Sequence, residues 1–151
     1  GVAHLPAINE TYYALQGGGS WGKPSNQSAP QRAKVSEVGQ LKDSLFCTTT
    51  ISKLENPLHH GLITQIAEQI EKSRGWGDCY GHLLVATGRA ELMIDTNSKI
   101  WDCAALYPIV TEAGGAFLDL KGKACIDGGS AISTNAALYK EVMTLLTRFR
   151  S

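Results

Sequence analysis

The apolar periodicity of this chain changes partway along its length, and that change excludes both an all-helical and an all-β fold. Residues 45–51 (Leu-Phe-Cys-Thr-Thr-Thr-Ile) form a continuous apolar and β-branched run, the pattern of a buried strand. Shortly after it, Leu62, Ile66 and Ile70 recur at a helical interval, with Ile63 and Ala67 beside them. Gln65, Glu68, Glu71 and Lys72 fall on the other side, which predicts an amphipathic helix with Glu68 and Lys72 as a weak i,i+4 pair.

The remaining segments follow the same two rules. Val2–Leu5 and residues 11–16 read as a hairpin closed by Gly17-Gly18-Gly19. Residues 22–40 are polar, carry Pro24 and Pro30, and predict a surface loop. Gly75-Trp76-Gly77-Asp78 breaks the first helix, and Asp78 is placed to cap a second over 79–87, stopped by Gly88. Residues 91–95 read as a strand. Asp102 then reads as the cap of a helix reaching about Ala113, with Gly114-Gly115 as its left-handed stop and Pro108 as an internal conflict. Residues 116–120 and Ala131–Thr134 are expected strands, and Leu138, Val142, Leu145, Leu146 and Phe149 mark the apolar face of a final helix. The order β-β-β-α-α-β-α-β-β-α is mixed α/β.

Composition narrows the function classes. The 151 residues are one domain's worth, with 43% hydrophobic content and 14 Lys+Arg against 14 Asp+Glu. Zero formal charge and no basic run argue against nucleic acid or an anionic membrane as partner. No apolar stretch approaches the ~20 residues that span a bilayer. The N-terminus has neither the charged start nor the apolar run of a signal peptide, and it lacks an initiator Met, as expected for a processed or truncated chain. Cys47, Cys79, Cys103 and Cys125 form no CxxC pair and sit in apolar segments, which predicts buried thiols and a cytoplasmic location.

Three places can carry chemistry. At Trp101-Asp102-Cys103-Ala104-Ala105 a carboxylate is followed by small residues that allow close approach; a plain N-cap is the competing reading. At Gly75-Trp76-Gly77-Asp78-Cys79-Tyr80, glycines ahead of a helix leave N–H groups free for an anion or a hydroxyl, against the alternative of a tight interhelical turn. Asp95 closes a strand just before the loop that leads to Asp102, although a polar strand end is common. His4, His59, His60 and His82 are scattered without zinc spacing and read as surface polarity. No serine elbow or cysteine–histidine dyad emerges from spacing.

The Trp101–Ala105 motif, followed by Pro108-Ile109-Val110-Thr111-Glu112-Ala113-Gly114-Gly115, resembles the second signature of the inositol-monophosphatase-like phosphatases, Trp-Asp-x-x-Ala, then an apolar run and Glu-Ala-Gly-Gly. Leu84-Val85-Ala86-Thr87-Gly88-Arg89-Ala90-Glu91 matches the family's preceding helix-to-strand step. Gly1-Val2-Ala3-His4-Leu5-Pro6 with Glu10-Thr11-Tyr12-Tyr13-Ala14 resembles its Gly-Val-x-x-x-Pro…Glu-x-x-x-Ala hairpin. Within the family, Gly77-Asp78-Cys79-Tyr80 is most similar to the version in histidinol-phosphate phosphatases; inositol-specific members tend to have small residues at Asp78 and Cys79.

The resemblance implies the C-terminal part of the layered αβαβα sugar-phosphatase fold, with residues 1–151 as a single portion and the N-terminal metal-binding part absent. It implies magnesium-dependent hydrolysis of a small phosphate monoester, L-histidinol phosphate, by an intact homodimeric parent in histidine biosynthesis. Asp102 is then the catalytic metal ligand, and Gly77, Asp78, Cys79 and Asp95 line the alcohol side of the substrate. Magnesium suits oxygen ligands, and such metals position the phosphate and activate water. The family's Asp-Pro-x-Asp-Gly-Thr signature and its upstream Glu are missing, and Asp127-Gly128-Gly129 is no displaced copy. The fragment alone is therefore expected to be inactive. An inositol-phosphate or fructose-bisphosphate phosphatase, or a catalytically dead binding module, are the alternatives.

Overall fold

The computed structural model describes residues 1–49 and 57–149. Its strands form two sheets. The first is antiparallel, in the order β1 (Val2–Leu5), β2 (Glu10–Leu15), β3 (Gly19–Lys23) and β4 (Gln31–Arg32). The second has the order β6-β5-β7-β9-β8, from β5 (Leu45–Thr48), β6 (Lys72–Arg74), β7 (Leu92–Asp95), β8 (Ala116–Leu118) and β9 (Ala131–Thr134). β5 runs parallel to both β6 and β7, so α1 (Pro57–Gln69) and α2 (Asp78–Ala86) are crossover helices. β8 and β9 are antiparallel to each other, and β9 is antiparallel to β7. The remaining helices are α3 (Ile100–Cys103), α4 (Leu106–Glu112) and α5 (Tyr139–Arg148).

Strand alternation decides the layering. On β7, Leu92 and Ile94 face one core with Phe46, Ile63, Ile66, Ile132 and Leu146, which belong to β5, α1, β9 and α5. Met93 faces the other, with Cys47, Leu83, Val85, Ile109 and Phe117 and, from the first sheet, Tyr12 and Ala14. Both faces of the second sheet are thus covered, as its apolar strands require. The order of layers is first sheet, α2 with α4, second sheet, then α1 with α5. This is the mixed α/β architecture expected.

Several local expectations are corrected. The expected hairpin is present as the β1–β2 pair, but the glycine run beyond it turns the chain into a third antiparallel strand, β3, which the Gly-Ser-Trp-Gly-Lys sequence hides. Gly22 has no side chain because the Tyr12 ring lies over it: a Cβ there would meet Tyr12 Cδ1 at 2.6 Å. The 22–40 segment is not a free surface loop. Ala33 and Val35 are buried, Val35 N–H donates to the Ala113 carbonyl at 3.1 Å, and Asn135 Nδ2 donates to Ser36 Oγ and the Val38 carbonyl. β6 was not expected because all of its residues are exposed and polar on an edge. Lys72 belongs to it, so the Glu68–Lys72 helical pair does not exist. The strand expected over 45–51 spans Leu45–Thr48; its last two positions lie outside the described residues.

The helix expected from Asp102 to Ala113 is broken at Ala104-Ala105 into α3 and α4. The break resolves the proline conflict, since Pro108 falls in the first turn of α4, where a missing N–H is tolerated. Asp102 is not the N-cap but the third residue of α3, and its Oδ2 accepts the Lys99 N–H at 2.8 Å. Asp78 is not a cap either. It is the first residue of α2, with Gly77 ahead of it in the cap position.

Candidate active site

Two sharp local geometries bring the site together. Gly77 packs directly on the end of β5: a Cβ there would lie 2.7 Å from Thr49 Cα, so only glycine permits the approach. Asp78, the next residue, has φ of 54°, in the left-handed region that costs a non-glycine residue roughly 1–2 kcal/mol. Asn and Asp tolerate this region better than other side-chain-bearing residues. A strained residue that is not the helix cap needs another reason, and its surroundings supply one.

Asp78, Cys79, His82, Asp95, Asn97, Ser98, Asp102, Cys103 and Leu106 line one cavity of about 190 Å³. Three of the expected substrate-side positions, Asp78, Cys79 and Asp95, therefore converge with Asp102. Gly77 contributes the turn that starts α2. The cavity lies beyond the C-terminal end of β7, at the start of α2 and over α3, so the opening of α2 meets the 95–106 stretch there.

The carboxylates are not equivalent. Asp95 is buried at 9% exposure, and its Oδ1 accepts the Asn97 N–H at 3.2 Å. Burial pushes its pKa up; the Asn97 N–H opposes this, and the Asp78 charge adds to the rise. Asp102 keeps a more exposed position and is braced by Lys99. Burial raises the Cys79 thiol, with Asp78 reinforcing the effect, so Cys79 is no ready nucleophile.

His82 was read as surface polarity and is instead a wall of this cavity. It is 2% exposed, its Nδ1 lies 2.7 Å from Ser133 Oγ, and its ring packs at 5.4 Å from that of Phe117. The spacing held a signal: His82 follows Asp78 by one helical turn and shares its face. Asn97 and Ser98, between Asp95 and Asp102, carried no such mark. Burial pulls the His82 pKa down to about 3, so it is neutral. Its proton is taken up more readily by the unfolded chain, so stability is complete above pH ~6.5 and falls as pH drops from there towards 3. We expect urea-unfolding free energy to decline below pH 6.5 by on the order of 1 kcal/mol per unit from this residue. Asp95 acts in the opposite sense, so the check is the difference from His82→Gln, whose profile should be flatter between pH 6.5 and 5.

Does the cavity make a metal site by itself? Among the described residues no three His, Cys, Asp or Glu side chains converge as a metal centre does. Asp102 is the carboxylate that the signature assigns to metal, and one carboxylate does not hold the ions such a mechanism uses. The described residues do not fit a complete centre, and no reaction step is routed through one. No described helix is long and apolar enough to cross a membrane.

Known proteins resemble this chain along nearly its whole length. The model of the inositol monophosphatase family matches residues 1–149. A histidinol-phosphatase from Chlorobaculum parvum is 38% identical over 147 residues, covering 97% of this chain and 54% of that protein. A histidinol-phosphatase from Mycobacterium tuberculosis is 32% identical, covering 97% and 56%. The chain thus spans about half the length of the curated relatives it matches. Among solved structures, an inositol monophosphatase from Zymomonas mobilis superposes with a TM-score of 0.84 at 20% identity, over 97% of this chain and 56% of that one. An IMPase from Thermotoga maritima gives 0.75 at 26% identity, over 98% and 55%. The Trp-Asp signature, the layered fold and a family match that runs almost from end to end agree: the chain belongs to the inositol monophosphatase family.

Proposed function

We propose that this chain supplies the substrate-side wall and one metal-binding carboxylate, Asp102, of a magnesium-dependent phosphomonoesterase acting on L-histidinol phosphate. The observation that carries the reading is the convergence of Asp78, Asp95 and Asp102 on one cavity. In this reading Asp102 faces the phosphate end and helps hold magnesium, an ion that favours carboxylates and retained waters. Asp78 and Asp95 face the leaving alcohol. Histidinol carries an amine that is protonated near neutral pH, and a carboxylate pairs with it more strongly than with a neutral hydroxyl. The histidinol-phosphatase names of the relatives support the same substrate class, and the intact enzyme is proposed to be a homodimer.

An inositol-type specificity is the second reading, favoured by the family name and by the solved inositol monophosphatases. The two part on one measurement. Joined to the N-terminal part of the Chlorobaculum parvum relative, the chain should hydrolyse histidinol phosphate with a higher kcat/KM than inositol 1-phosphate. The reverse preference would overturn the histidinol assignment and leave the phosphatase reading intact.

A further inference from the structure

Asp78, Asp95 and Asp102 give the cavity its charge, and His82 gives it a donor of a different kind. His82 stands one helical turn beyond Asp78 on the same face of α2, the side of the cavity that the proposed function gives to the leaving alcohol. Its ring is deeply buried yet lines the open space. One end of the ring is held: Nδ1 lies 2.7 Å from Ser133 Oγ on β9. Phe117 packs against the ring at a tilt, with centroids 5.4 Å apart.

The bond to Ser133 decides where the imidazole proton sits. Ser133 is fully buried, and among the described residues its hydroxyl has no partner but His82. A buried hydroxyl hydrogen with no acceptor is costly. Ser133 Oγ therefore donates, and Nδ1 accepts. Burial keeps the ring neutral, and a neutral imidazole carries a single proton, here on Nε2. Nothing among the described residues accepts from that N–H. Nor is Nε2 sealed in the core, since the sealed polar atoms without a partner are Ser20 Oγ, Gln27 Oε1 and Thr49 Oγ1. An unpaired donor on a buried ring thus opens onto the cavity.

We propose that the Nε2–H of His82 reads the leaving group, donating to the bare ring nitrogen of the substrate's imidazole. This rests on the histidinol phosphate reading under Proposed function and adds to it the residue that recognises the ring. Ionised Asp78 and Asp95 offer acceptors only, which suits the substrate's amine and its ring N–H. The bare ring nitrogen needs a donor instead, and the phosphate oxygens belong with Asp102. An uncharged donor serves here, where lysine or arginine would repel the ammonium. A site built to hydrogen-bond a group rejects an analogue that lacks it.

L-Phenylalaninol phosphate is the probe, because it keeps the amine and the phosphate ester but has no ring nitrogen. The chain joined to the N-terminal part of the Chlorobaculum parvum relative is assayed at pH 8, where free imidazole is neutral. There kcat/KM should favour L-histidinol phosphate over the probe at least about tenfold. His82→Asn keeps a polar group at the Nδ1 position for Ser133 but removes the Nε2 donor. It should cut that ratio at least about fivefold, mostly through KM. His82→Gln places an amide N–H at the Nε2 position and should restore part of the ratio. Nitrogen-15 NMR of unsubstituted residues 1–151 gives a readout independent of any variant's folding: Nε2 of His82 should carry the proton and Nδ1 none. A proton on Nδ1, no preference over the probe, an unchanged ratio in His82→Asn, or His82→Gln no better than His82→Asn would each overturn the proposal. A preference of the unsubstituted joined protein for inositol 1-phosphate over L-histidinol phosphate would overturn the histidinol reading itself, and this inference with it.

Discussion

Asp102→Asn, in the chain joined to the N-terminal part of a full-length relative, is expected to lower phosphatase activity at least about 100-fold while leaving the fold intact. Loss of a residue that merely supports a metal ligand costs about 10–100-fold, and removing the ligand's own charge should exceed that. The structural side of the prediction rests on one bond. Asp102 Oδ2 accepts the Lys99 N–H at 2.8 Å, and an asparagine oxygen can accept the same donor. Unfolding free energy should therefore change by no more than about 1 kcal/mol, the scale of a terminal helix bond. Asp102→Ala should lose both the activity and that bond. Full activity in Asp102→Asn together with a destabilised Asp102→Ala would make the residue a structural brace alone.

The Trp-Asp signature was legible because it combines residue types that no helix propensity requires at that spacing. What the sequence hid was the geometry around it. Asp78 looked like a helix cap because acidic residues commonly are, and nothing in Gly77-Asp78-Cys79 announces a positive φ. Nor does that tripeptide announce that Gly77 packs on Thr49, a residue distant in sequence. Likewise β3 escaped notice because its side chains were traded for room under Tyr12, and β6 because an exposed edge strand has no apolar face to betray it. The helices were easier: Leu62, Ile63, Ile66 and Ile70 all reach the core their period implied. His82 was misjudged for the opposite reason, since a polar residue in an apolar helix reveals its burial only when Ser133 is placed beside it.

The second large effect concerns Asp78. In the same joined protein, Asp78→Asn should reduce kcat/KM for histidinol phosphate selectively, by roughly 1.5–3 kcal/mol, the size of a hydrogen bond to a charged group. Inositol 1-phosphate, which has no amine, should be nearly unaffected. Asparagine is the appropriate probe because it tolerates the left-handed backbone at φ of 54°. Alanine tolerates this backbone less well than aspartate and would confuse stability with recognition. Because Asp78 lies inside α2, behind its cap residue Gly77, the capping explanation is weaker than the sequence implied. Equal loss for both substrates, or none for either, would make Asp78 structural and remove the residue-level support for histidinol phosphate.

In the proposed function this chain holds the substrate-side wall and one metal carboxylate, and carboxylates outside residues 1–151 complete its chemistry. Phosphate release from histidinol phosphate with magnesium tests it, measured side by side for residues 1–151 alone and for the same residues joined to the N-terminal part of the Chlorobaculum parvum relative. No chelator-sensitive release is expected from the chain alone, and clear release from the joined protein. Turnover by residues 1–151 alone, abolished by a chelator, would contradict it.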